Sequence, residues 1–197
     1  MTHTSKKGFT LIELLIVIAI IAILATAVIL LLNPAELLKQ ARDSQRISDL
    51  DTIRTALALY LSTTGSNLGG AAGSCYYYTT PVAPAANCGG RHAGRASLAV
   101  NSRATSGAGW VFGPDMGAIP GGSPLSVLPV DPRNNAAGNN SLFYSYATDG
   151  VSFFELDADM ESSRYASGGT DDTESNTVDG GNSAGVREVG NAPNLAY

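Results

Sequence analysis

Histidine and cysteine are scarce in this chain, whose 197 residues hold two of each. That leaves little material for a Cys/His zinc centre or for His-based catalysis. Charge is thin too, at 15% of residues against 44% hydrophobic, which argues against wholesale disorder. Basic residues are outnumbered 12 to 17, and the net charge of −5 disfavours a protein that wraps nucleic acid. No Gly-x-Ser-x-Gly elbow, phosphate-binding loop or metal-ligand helix stands out. With so little histidine, no Ser-His-Asp arrangement finds support. The length suits one domain, or one domain with an appendage. Glycine is plentiful at 22 residues, yet none lies between Phe9 and Leu61.

What fills that glycine-free stretch is the strongest signal in the chain. Residues 1–8 read MTHTSKKG, short and basic, and FTLIE follows. Leu14 to Leu32 then form a run of 19 residues with no charge and one hydroxyl, Thr26. As a helix this run spans about 28 Å, close to a hydrocarbon layer of about 30 Å. Lys6 and Lys7 ahead of it favour a cytoplasmic N-terminus. One reading is a cleaved secretory signal with Ala25-Thr26-Ala27 as its small-residue site. Its apolar core is longer than the usual 7–15 residues or so, and cleavage leaves Val28–Leu32 as a greasy terminus. A permanent single-pass anchor is the second reading, and it leaves Glu13 unexplained. A carboxylate entering a membrane helix costs about 3 kcal/mol unless it is paired or interfacial. Taken alone, Glu13 reads as an interfacial residue four positions past Phe9, snorkelling toward the headgroups.

The string KKGFTLIELLIVIAIIAILA resembles the class III signal of type IV pilins and type II secretion pseudopilins. The resemblance implies an α+β, type IV pilin fold: a long N-terminal α-helix with a small antiparallel β-sheet head. It implies that a membrane-embedded prepilin peptidase cuts between Gly8 and Phe9 and N-methylates Phe9. Glycine at the cut lets a protease approach the backbone closely. It further implies that Phe9 and Glu13 serve assembly, the new ammonium of one subunit meeting the carboxylate of a neighbour. A buried pair completed by another molecule makes correct register a condition of stability. The implied function is a structural, major-pilin-like subunit of a type IV pilus, not an enzyme. Its partners are then the membrane, the peptidase, an assembly platform and copies of itself in a helical homopolymer. Its place is the cytoplasmic membrane before assembly and an extracellular or cell-surface filament afterwards. A type II secretion major pseudopilin, a minor tip pilin and a monomeric membrane-anchored binding protein are the alternatives. An extracellular hydrolase ranks behind them.

Three regions follow: a leader at 1–8, a long helix over 9–61 and a β head over 62–197. Within the helix, 9–32 is the apolar membrane or filament core and 35–61 is amphipathic. Asn33-Pro34 interrupts the pattern, and because helical signals resume at once we expect a kink. Ile47, Leu50, Ile53, Leu57 and Tyr60 form a stripe spaced by threes and fours, the expected core contact. Glu36, Lys39, Arg42, Asp43, Arg46, Asp49, Asp51 and Arg54 are expected on a solvated or intersubunit face. The run ARDSQRISDLDTIRTALALY also resembles the post-membrane helix of pilin-like proteins.

In the head, Cys75 and Cys88 bracket 12 residues. A disulfide, two buried thiols and a metal pair are the choices, and the extracytoplasmic setting favours the disulfide. Tyr76–Tyr78 reads as a strand. Arg91, His92, Arg95 and Arg103 form a basic stretch, expected as a solvated loop; DNA contact is not expected. Asp149-Gly150 between aromatic-rich runs predicts a two-residue hairpin turn. LPVDPRNN and LDADMES resemble the late region of pilin-like and pseudopilin heads. Asp157, Asp159 and Glu161 alternate and would share one face of an extended strand. Major pseudopilins of that family often bind calcium near this point, so the resemblance makes these residues candidate calcium ligands. The segment fails the EF-hand pattern, with Ser162 where glycine is needed, and a hydrated acidic surface is the plainer expectation. Residues 162–197 are polar and glycine-rich, expected to be mobile or to drape over neighbouring subunits.

Overall fold

The computed structural model describes residues 8–65, 67–79, 88, 91, 92, 94–134, 142–193 and 195. The chain forms two compact units that meet between Leu38 and Lys39. Lys6 and Lys7 lie outside the described residues.

The first unit holds helix α1 (Leu11–Leu32) and the start of helix α2 (Pro34–Thr64). Leucine, isoleucine and alanine dominate α1, and no glycine or proline breaks it. Asn33 ends it in the left-handed conformation, at φ 39°. Its carbonyl then accepts from the Glu36 and Leu37 amides and opens α2. Pro34 takes the first position of α2, where its missing N–H costs nothing. The expected kink is thus a one-residue break between two helices.

The second unit packs the rest of α2 against a five-stranded sheet in the order β2-β1-β5-β6-β7. Its strands are β1 (Ser74–Tyr78), β2 (Ala96–Val100), β5 (Ser145–Thr148), β6 (Phe154–Ala158) and β7 (Arg187–Gly190). A separate two-stranded sheet joins β3 (Ser106–Ala108) to β4 (Phe112–Asp115). The large sheet is antiparallel except for the parallel β1–β2 pair, so it is mixed. A parallel neighbour obliges the chain to cross a face of the sheet. That crossover carries Cys88, Arg91, His92 and Arg95.

Strand alternation sorts the side chains into two buried faces. Tyr76, Tyr146, Phe154, Leu156, Ala158 and Val189 face one way and join Leu50, Ile53, Leu57 and Tyr60 of α2 in the main core. Cys75, Tyr77 and Ala147 face the other way and pack with Cys88 and Phe143. Ser145, Glu155, Asp157 and Glu188 share that second face by register. Cys75 and Cys88 are joined as a disulfide, which ties the crossover to β1.

The β5–β6 pair is an antiparallel hairpin, but its turn is longer than two residues. Asp149 Oδ1 accepts from the Val151, Ser152 and Phe153 amides, and the Phe153 carbonyl accepts from the Asp149 amide. One carboxylate oxygen holding three amides opens the loop to residues 149–153. The late segment is not featureless either, since β7 extends the sheet beyond β6.

Truncating the core stripe tests this packing. Ile53→Ala leaves a cavity at a fully buried site and should lower stability by about 2–4 kcal/mol. Leu59→Ala, on the outer face of α2 at 40% exposure, should cost less than about 0.5 kcal/mol. Urea unfolding of the full chain in detergent, followed by its single, buried tryptophan, Trp110, reads both.

Candidate processing and assembly site

The segment Gly8–Glu13 is built around the start of α1. Thr10 is the N-cap in extended conformation. Its hydroxyl oxygen accepts from the Glu13 amide at 3.3 Å, while Glu13 Oε2 accepts from the Thr10 amide at 2.9 Å. The Thr10 hydroxyl also donates to the same carboxylate oxygen at 2.8 Å. This is a reciprocal capping box, and the carboxylate lies where it offsets the positive end of the helix. Sequence reasoning treated Glu13 as an interfacial residue or as a group awaiting a neighbour. The Thr-x-x-Glu spacing before an apolar run was the signal that it also holds its own helix end.

Gly8 and Phe9 precede the cap as exposed, irregular chain. Among the described residues, a side chain at Gly8 would meet nothing within 4 Å, so the space beside that backbone is open. Phe9 is 78% exposed. From Leu11 to Leu32 every described side chain is exposed. The span Leu11–Ile29 is long and apolar enough to cross a membrane.

The charged stripe of α2 differs from expectation. Asp43 and Arg46 are wholly buried. Positions 43, 46, 50, 53, 57 and 60 continue one three-four spacing, so the core stripe runs two steps further back than its apolar residues showed. Arg46 Nε and Nη2 donate to both oxygens of Asp131, at 2.6 and 3.0 Å. Its Nη1 donates to Asp43 at 2.6 Å and Nη2 also reaches Glu161 at 2.6 Å. Arg42 grips Glu161 with two bonds of 2.8 Å, and Arg133 adds one of 3.2 Å. Asp43 meanwhile accepts from the Glu161 and Ser162 amides. Three guanidiniums and three carboxylates close the charge, the condition for burying ions tolerably.

The three candidate calcium ligands therefore face different partners. Asp157 lies on β6, fully buried beside His92. Asp159 pairs with Arg91 at 3.1 Å, and Glu161 belongs to the arginine network. The acids at 157 and 161 are not a hydrated surface. Arg91, His92 and Arg95 are buried too, not a solvated loop. Arg91 donates to the Phe143 carbonyl at 2.5 Å, and Arg95 to the Thr148 carbonyl at 3.1 Å. His92 sits between Glu155 and Asp157. Burial pushes Glu155 and Glu188 up to about 7, and burial with Arg91 and Arg95 pushes His92 down to about 3.

One spacing escaped the sequence reading. Gly181-Asn182-Ser183-Ala184-Gly185 has the Gly-x-Ser-x-Gly form of a hydrolase elbow. An elbow needs strand, turn and then helix, but here the string leads into β7. The Ser183 amide is spent on Glu188 at 2.8 Å. The arrangement supplies a turn, not a nucleophile.

Acid titration should reveal the arginine network. Burial raises the Glu161 carboxyl, but hydrogen bonds from Arg42, Arg46 and Arg133 outweigh it and hold it at about 2, against an ordinary 4.5. The folded value is depressed, so Glu161 adds stability above pH 4.5 that is lost as pH falls from 4.5 toward 2. The difference is worth about 3 kcal/mol at most. Glu161→Gln should be clearly less stable than wild type at pH 7 and close to it at pH 2, by urea midpoints.

Comparison with known proteins adds one match. A family model described as the prokaryotic N-terminal methylation motif matches residues 3–29. No curated protein and no solved structure matches the chain. The matched residues take in the open Gly8, the Thr10–Glu13 cap and most of the uncovered apolar helix. The α+β order seen here, helix first and sheet after, is consistent with the type IV pilin fold. The chain carries a class III prepilin signal, the signal of type IV pilins and pseudopilins.

Proposed function

We propose that this chain is a major-pilin-like structural subunit of a type IV pilus. It is exported as a prepilin, cut between Gly8 and Phe9, N-methylated at Phe9 and polymerised through α1. The observation that carries the reading is α1 itself: 22 residues whose described side chains are all exposed, directly behind the methylation motif. Burying each Leu or Ile is worth roughly 1.5–3 kcal/mol, so such a surface needs lipid or other copies of itself. The membrane holds the helix until the leader is removed. Subunits extracted from it then bundle by their helices. Each subunit offers one face to the next and a different face to the previous, so the contacts do not close and a fibre grows.

The capping box gives the cut its electrostatic logic. The new ammonium arises one residue before the cap, at the positive end of the helix dipole. A carboxylate within the first turn offsets that charge before assembly. In the fibre, Glu13 also receives the ammonium of a neighbour. The head has no catalytic task in this scheme.

Intact-mass measurement of the chain from surface fibres should give a methylated Phe9 terminus, and Gly8→Val should leave the leader attached. A Met1 terminus on the wild-type chain in fibres would sink the processing scheme. Thr10→Val removes the cap hydroxyl yet keeps the carboxylate, so it should still form fibres. Glu13→Gln should reduce fibre yield at least tenfold. Equal losses in the two variants would confine Glu13 to capping. Long surface fibres support the pilus, whereas fibres confined to the periplasm support a secretion pseudopilin.

A further inference from the structure

The sheet face turned away from α2 buries more acid than its cations neutralise. Glu155, Asp157 and Glu188 project from β6 and β7 on that face, and all three are buried. With Asp159 and the nearby Asp179 they outnumber the cations Arg91 and Arg95 among the described residues. Among the described residues no aligned N–H or O–H donor reaches either oxygen of Asp157, which is 0% exposed and lies beside the Glu155 carboxyl. Buried carboxylate oxygens in that state lack the partners that burial demands.

His92 enters this face from the crossover. Its Nε2 lies 3.1 Å from Asp157 Oδ2 and 3.2 Å from Ser145 Oγ. Its Nδ1 lies 2.9 Å from Glu155 Oε1, off the line of a hydrogen bond. The other Glu155 oxygen accepts from the Leu195 amide at 2.7 Å, which fixes the carboxylate. One donor atom from each of His92, Glu155 and Asp157 lies within 4.8 Å of the others. Donors about 2.0–2.1 Å from a tetrahedral zinc stand about 3.3 Å apart, so the His92–Asp157 edge is already formed. Asp157 lies at Nε2, which also hydrogen-bonds with Ser145, and Glu155 lies at Nδ1, so an ion on one ring nitrogen replaces its present contact and gathers in the other carboxylate.

We propose that His92, Glu155 and Asp157 form a divalent-cation site of the zinc class that ties the crossover to β6. One imidazole nitrogen with two carboxylates is a borderline donor set, suited to zinc-type ions over calcium, which prefers oxygen throughout. One such ion offsets the surplus of acid and gives Asp157 a partner. The site is separate from residues 8–13 and does not depend on the pilus reading.

The test uses the full chain in detergent, without a histidine tag and with its disulfide intact, in a His3→Ala background so that His92 is the single histidine. After chelation and dialysis, zinc chloride is titrated and uptake is measured by calorimetry and elemental analysis. One zinc per chain is expected, with a raised unfolding midpoint. His92→Ala and Asp157→Asn should each weaken uptake by more than about 100-fold, beyond the loss from an outer-shell change. X-ray absorption of the zinc-loaded chain should show one imidazole and otherwise oxygen ligands, a readout that needs no variant to fold. No stoichiometric uptake means that protons meet the excess charge and overturns the proposal. A sulfur-ligated zinc, uptake undiminished in Asp157→Asn, or displacement by equimolar calcium overturns it equally.

Discussion

Everything in this protein is arranged around an apolar helix that the described chain leaves bare. From Leu11 to Leu32 the described side chains are all exposed, and no buried face turns toward a core. A helix apolar on all sides is stable only where every side is covered. A bilayer can do that, and so can a bundle of identical helices. On the pilus reading proposed above the same surface serves both settings, and passage between them needs no refolding of α1. What must change is the end of the helix. The Thr10–Glu13 box satisfies amides that neither lipid nor packed neighbours can reach, so the end stays closed in both.

The head has the opposite problem. It must fold by itself, and its five-stranded sheet is covered on both faces. One cover is conventional: the Leu50–Tyr60 stripe of α2 lies on aromatic and aliphatic strand residues. The second is polar, and it exists because β1 and β2 run parallel. The crossover brings Arg91 and His92 onto Glu155 and Asp157 of β6 and Asp159 just beyond it, two strands from where it began. The disulfide pins that crossover at Cys88, removing a loop-closure cost of roughly 3 kcal/mol from folding.

Legibility in the sequence followed the range of the interaction. The apolar helix needed only composition and length. The core stripe needed only three-four spacing, and Leu50, Ile53, Leu57 and Tyr60 are where that spacing put them, with Ile47 half-buried at its side. Asp43 and Arg46 obey the same spacing but were assigned to solvent, because unpaired charges belong there. Their partners, Asp131 and Glu161, lie 85 or more residues away, and no local pattern announces them. His92 was hidden for the same reason. The hairpin was legible as a hairpin, yet its turn was not, since Asp149 spends its side chain on three amides instead of a two-residue turn. The capping box and the Gly181–Gly185 string were both present in plain spacing; only the structure distinguishes the first, which is formed, from the second, which lacks its strand–turn–helix setting.

The two buried charge clusters do different physical work. Around Arg46 the charges balance and each carboxylate has several donors, so the cluster fixes where α2 meets the 131–133 and 161–162 segments. Replacing such a network with apolar residues can cost nothing in stability, so its value is in specifying one arrangement. On the pilus reading that specificity has a use, because a small error in α2 would repeat along the fibre. Around His92 the charges do not balance among the described side chains. An unbalanced buried cluster is stable only if something small and positive enters it, a proton or a metal ion. The first cluster fixes geometry wherever its carboxylates are ionised, whereas the second needs a proton or a cation to balance it.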